Sequence, residues 1–132
     1  IKISYPEKLN YDFELDDAFV NDNLVYNINS KETYKEGYSF AASYSNNNEN
    51  NFINYHFGKV ESLEKDYKEI ISNNNIIKIN GELVYKHPAR ESNKTKVTDY
   101  VWKDNSMIYR ISICENIDSS FNHNNILENF VK

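Results

Sequence analysis

One stretch of this chain, residues 60–71, carries its apolar side chains at helical spacing, while most of what surrounds it alternates with a period of two. Val60, Leu63, Tyr67, Ile70 and Ile71 share one face of a helix, and Glu61, Glu64, Lys65, Lys68 and Glu69 lie elsewhere on it. A helix apolar on one side only must bury that stripe against another layer, and here the layer on offer is a sheet. The pattern predicts a helix over Val60 to Ser72. Ser62 is its candidate N-cap, Glu64 and Asp66 stand in the electropositive first turn, and Asn73 is its stop.

The strand signals fall on both sides of that helix. Tyr5 to Val20 opens on Tyr5-Pro6 and alternates through Tyr11, Phe13 and Leu15, with a break expected at Asp16-Asp17. Leu24 to Ile28 is a second short run. Tyr38, Phe40, Ala42 and Tyr44 alternate with small or polar residues, then Ile53, Tyr55 and Phe57 do so after the Asn46–Asn51 loop, a pattern that predicts a hairpin with one aromatic face. Past the helix, Ile76 to Ile79 and Glu82 to Tyr85 flank Asn80-Gly81, the dipeptide that best reaches the positive φ angles of a two-residue hairpin turn. Lys86 to Lys96, with His87-Pro88, reads as a loop. Val97 to Trp102 and Met107 to Cys114 form a further hairpin across Asp104-Asn105, with Met107, Tyr109, Ile111 and Ile113 on one face. Ser119 or Ser120 is expected to cap a short final helix whose stripe is Ile126, Leu127, Phe130 and Val131. The expected fold is α+β: a curved antiparallel sheet of about six to eight strands, a helix packed on its apolar face, and a short C-terminal helix, all in a single domain over residues 1–132.

With 132 residues such a domain buries roughly two thirds of its unfolded surface. Apolar residues make up only 39%, but 11 Tyr and 7 Phe supply large buried areas, so a core forms without metal or disulfide. The mean hydropathy of -0.77 reflects abundant Asn and 27% charged residues rather than disorder. With three Gly and two Pro, most turns fall to Asn, Asp and Ser. A net charge of -5, with Arg90 and Arg110 the only arginines, excludes the basic surface that nucleic acid or anionic lipid requires.

No catalytic, cofactor-binding or metal-binding signature is present. His56, His87 and His123 have no His or Cys partner at ligand spacing, and they read as solvated or singly hydrogen-bonded imidazoles. The single cysteine, Cys114, lies in a β-like run and reads as a small core residue with no sign of an activating neighbour. Three separated glycines do not make a phosphate-cradling loop. Asp16 and Asp17, being adjacent, point to opposite faces of a strand and read as a turn or a solvated edge rather than an acid/base pair. Tyr38, Tyr44, Tyr55, Tyr100, Trp102 and Tyr109 all fall on β-like runs. Such residues line sugar or peptide grooves in some proteins, but their alternation favours an aromatic core. Asn93-Lys94-Thr95 is a glycosylation sequon by letter and by itself assigns no function.

The segments "IIKINGELVY", "VTDYVWKDNSMIYRIS" and "SSFNHNNILENFV" together resemble the C-terminal half of a bacterial family of unknown function, family 4367. The motifs that carry the resemblance, Asn80-Gly81, Trp102, Asp104-Asn105 and Tyr109, cover residues 76–132, and "YPEKLNYDFELDDAFV" is similar to the start of such domains. The resemblance implies an extracytoplasmic part of a Gram-positive lipoprotein or anti-sigma-type membrane protein, and it brings no catalytic residues.

Three functions are compatible with these features. The first is a non-catalytic extracytoplasmic binding or sensing domain, in keeping with an Ile1 start that suggests a piece of a longer precursor with its membrane anchor upstream. The second is a carrier of a small apolar ligand between sheet and helix. The third is an acidic inhibitor or immunity-type protein that covers a basic partner. No cofactor, enzymatic activity or nucleic-acid partner is expected.

Overall fold

A computed structural model of the protein describes residues 5–27 and 29–131, apart from the side chains of 21–27 and 32–38. Its strands are β1 (Glu14–Asn27), β2 (Glu32–Ser45), β3 (Phe52–Gly58), β4 (Ile76–Ile79), β5 (Glu82–Glu91), β6 (Thr95–Asp104) and β7 (Met107–Asn116). Helix α1 (Glu61–Ile71) comes after β3, and α2 (His123–Leu127) after β7. The seven strands form one antiparallel sheet in the order β1-β2-β3-β7-β6-β5-β4. Neighbours in this order are also neighbours in sequence except at β3–β7, where Ile53 faces Ile113, Tyr55 faces Ile111 and Phe57 faces Tyr109. At the β4–β5 turn Asn80 and Gly81 have φ of 50° and 85°, the backbone that the dipeptide favours. The Asn80 amide also donates to the Val131 carbonyl at 2.7 Å, which ties this turn to the chain end.

The period-two pattern sorts the sheet into two unlike faces. One carries Phe40, Ala42, Tyr44, Ile53, Tyr55, Phe57, Tyr100, Trp102, Ile111 and Ile113, all buried in a single cluster. Its cover comes from the two ends of the chain. Leu9 and Phe13 pack there from the N-terminal segment, and Ile126, Leu127, Phe130 and Val131 from α2 and the residues just beyond it. The two ends also hold each other: Phe13 meets Phe121 edge-on at 5.7 Å, Tyr11 stacks on Phe121 at 4.7 Å, and Asn129 donates to Asn10 at 2.8 Å. On the opposite face, α1 packs Val60, Leu63 and Tyr67 against Ile108.

The helix therefore lies on one face of the sheet as expected, but the aromatic face is the other one. Both faces of β6 and β7 offer apolar residues, and α1 takes the smaller set. Its N-cap is Val60, without a side-chain cap bond, rather than Ser62. The final helix is capped by Asn122, whose side chain accepts from the Asn124 amide at 3.0 Å, not by Ser119 or Ser120. The expected break at Asp16-Asp17 is a register shift inside a continuous β1, and both residues are exposed on that edge strand. The backbone of Leu24–Asn27 belongs to the same strand, and Ile28 lies outside the described residues. Of residues 86–96, expected as a loop, 86–91 continue β5 through His87-Pro88 with a register irregularity between His87 and Arg90, 92–94 make the turn, and Thr95 and Lys96 open β6. A strand near an edge accepts proline at such a bulge, where no ladder hydrogen bond needs its missing N–H.

Five-residue α2 is too short to hold itself helical, so its place is set by packing. Leu127→Ala should cost about 2–5 kcal/mol, as much as Ile111→Ala at the sheet centre, since both side chains are fully buried. Urea unfolding measures both. A loss under about 1 kcal/mol at Leu127 would show that the chain end is a loose appendage.

Candidate functional site

The aromatic face is not completely covered. Where the N-terminal segment and the end of the chain approach its edge, a cleft of about 220 Å³ remains, lined by Tyr55, Phe57, Trp102, Tyr109 and Phe130 and rimmed by Glu82, Asp104 and Asn129, with Tyr5 and Pro6 alongside. Trp102 and Tyr109 are cross-strand partners and stack at 5.3 Å with planes 4° apart. Tyr55 is nearly parallel to both, at 6.4 and 6.5 Å, and Phe57 stacks on Tyr109 at 5.3 Å. Phe130 closes the cleft from above, 4.7 Å from Tyr55. Burial raises the Tyr55 phenol well above its usual range, with the neighbouring tyrosines adding to the shift. Burial, and then the Asp104 carboxylate, also raises Tyr109. Both phenols stay protonated, so among the described residues the charged groups of the lining are the side chains of Glu82 and Asp104.

At the opposite end of the same face a polar network lies under α2. The Tyr100 hydroxyl and His123 Nδ1 are 2.7 Å apart, and His123 Nε2 is 2.5 Å from Glu115. Lys96 lies 3.7 Å from the other Glu115 oxygen and donates to the Ser119 carbonyl at 2.9 Å. Glu115 is 1% exposed and Tyr100 2%, at the floor of a shallow polar depression between β5, β6 and the start of α2. The arrangement fits a clamp that satisfies a buried acid and pins the start of α2 to β6 and β7.

A third polar group lies on the α1 face. Arg110 pairs with Asp66 of α1, and Arg90 and Ser112 each bond one oxygen of Asp99 at 2.6 Å. His56 Nδ1 lies 3.4 Å from Arg110, while its Nε2 is buried with no hydrogen-bond partner among the described residues. Burial first, and then the Arg110 charge, lowers the His56 pKa, and Asp66 offsets part of this. The space beside α1 is thus lined by charged residues, and the apolar opening is on the other face.

The structure brings four of the six singled-out aromatics, Tyr44, Tyr55, Tyr100 and Trp102, into the buried core, with Tyr109 packed at its margin. The side chain of Tyr38 is outside the described residues. Tyr55, Trp102 and Tyr109 belong to the core or its margin and also line the cleft. The three histidines stay apart: His56 on β3, His87 on β5 rather than in a loop, and His123 on α2. Among the described residues no group of three His, Cys, Asp or Glu side chains is placed to hold a metal. The Cys114 thiol is pushed up by burial, the opposite of activation. Sequence reasoning missed Glu82, Asp104 and Glu115. The signal was their phase: each continues a core stripe, Glu82 with Val84, Asp104 with Trp102, and Glu115 with Ile113. Compared with family models, curated proteins and solved structures, the chain matches none.

The depressed His56 pKa makes stability depend on pH. The unfolded chain takes up this proton near pH 6.5 and the folded chain only at a lower pH. Stability is therefore full above about pH 6.5 and declines as pH falls toward the folded value. Urea midpoints at pH 7.5 and 5 should differ less in His56→Gln than in the natural protein. An identical pH response in both would assign the effect to other groups.

Proposed function

We propose that this chain is a non-catalytic binding domain that holds a small ligand in the aromatic cleft. The observation that carries the reading is the cleft itself: five aromatic rings from β3, β6, β7 and the chain end converge on about 220 Å³ that the protein does not fill. Cores are ordinarily packed to crystal density, and an aromatic-lined opening with a few polar groups at its rim is the usual form of a ligand site. The volume is below that of drug-sized pockets, which limits the occupant to a single ring or a small head group.

The wider setting we propose is extracytoplasmic, as a sensing or binding part of a membrane-anchored protein or lipoprotein. The resemblance of residues 76–132 to family 4367 supports it. The apolar-carrier alternative uses the same cleft, on the aromatic face rather than beside α1, where the lining is charged.

Trp102 is the chain's only tryptophan and lines the cleft, so its emission reports occupancy. Titration with small ring compounds and small head-group analogues, neutral, cationic and anionic, should give a saturable change in Trp102 emission with at least one class. No saturable change with any of them would count against a binding role for this cleft.

A further inference from the structure

The charge pattern of the cleft goes one step beyond the binding reading on which it rests. We infer that the occupant is a small organic cation, an ammonium group carrying a few carbons, drawn in by Glu82 and Asp104 and seated against the rings of Trp102, Tyr109 and Phe57.

Three observations combine. First, among the described residues every charged one in the lining is acidic: Glu82 opens β5, Asp104 closes β6, and no Lys, Arg or His stands with them. Strand alternation produces this asymmetry. Glu82 and Asp104 fall in phase with the aromatic face, while Lys103, between Trp102 and Asp104, turns to the other face, with Nζ 5.8 Å from the centroid of Tyr67. Second, neither carboxylate has a salt-bridge partner among the described residues, and both are exposed at the rim, open to a counter-charge. Third, the walls are π-systems, whose faces are electron-rich and attract a cation once it sheds water. An anion would meet two carboxylates and the same negative faces.

A neutral apolar occupant would gain from the walls but nothing from the two acids. A sugar's hydroxyls would find acceptors in the two carboxylates, but the one side-chain amide in the described lining, Asn129, already donates to Asn10 and to the carbonyls of Asn125 and Ile126, and a neutral sugar leaves the acids' charge unmatched. The shift that the Asp104 carboxylate contributes at the Tyr109 phenol agrees with its field reaching into the cleft.

The test compares choline with 3,3-dimethylbutan-1-ol, its neutral counterpart of nearly equal shape, by calorimetry and Trp102 emission at low ionic strength. Choline should bind on the order of tenfold tighter than the alcohol, the factor that about 1.4 kcal/mol of cation–π and charge attraction supplies. The double variant Glu82→Gln, Asp104→Asn should lose most of this preference and keep only the share that the rings supply. Both positions are exposed, so an unchanged unfolding midpoint is expected alongside. A preference for choline that is undiminished in the double variant overturns the assignment to these acids. Choline binding no tighter than the alcohol, including binding of neither, overturns the cation inference. In that case neutral ring compounds separate the two claims: if they still change Trp102 emission the binding reading stands, and if they do not both fall.

Discussion

The two halves of the chain meet at one strand pair. Every other pairing in the sheet joins sequence neighbours across a turn, but β3 and β7 come together across α1 and three intervening strands. That pairing sets Ile53 opposite Ile113, Tyr55 opposite Ile111 and Phe57 opposite Tyr109, so it joins the aromatic stripe of the first half to that of the second. Without it neither three-stranded nor four-stranded half has an apolar face wide enough for the chain ends to cover. It is also the slow step to expect in folding, because the loop it closes is the longest of any strand pair.

Once the stripes are joined, the sheet has far more apolar surface on one face than α1 covers on the other. The chain ends resolve the imbalance. Phe13, Phe121, Phe130 and their neighbours form a lid from both termini, held by the Tyr44 hydroxyl on the Pro6 carbonyl at 2.8 Å, by Asn80 on Val131, and by the Glu115–His123–Tyr100 clamp. The lid does not reach the outer end of the aromatic face. The cleft is the part of that face left between the lid and the turn-bearing ends of β5, β6 and β7, and its acidic rim comes from the residues that begin and end those strands. The edges of the sheet are guarded by other means: β4 has only four residues, and β1 carries exposed Asp16 and Asp17 at a register shift.

Local elements were legible where chemistry is local. Asn80-Gly81 has one good backbone solution, the stripe from Leu63 to Ile70 has one good period, and Met107, Tyr109, Ile111 and Ile113 keep one strand face apolar. His87-Pro88 misled because proline and polar neighbours look like a loop, whereas a bulge near an edge tolerates both. The face chosen by α1 was not legible, since Val101 and Ile108 on one side and Trp102 and Tyr109 on the other are all apolar, and only three-dimensional fit decides between them. The cleft was half legible. Its aromatics read as core in preference to a ligand groove, and they form the core while also lining the cleft. Glu82 and Asp104 passed as turn-flanking charges, although their phase placed them on the aromatic face.

The central claim is that this cleft is where the protein meets its ligand, and the most direct test is a residue-resolved NMR titration with small ring compounds and ammonium probes. The account predicts that amide shifts gather at Tyr55, Phe57, Trp102, Tyr109 and Phe130, with α1 unmoved. Shifts centred on α1, or none at any residue lining the cleft, would contradict it.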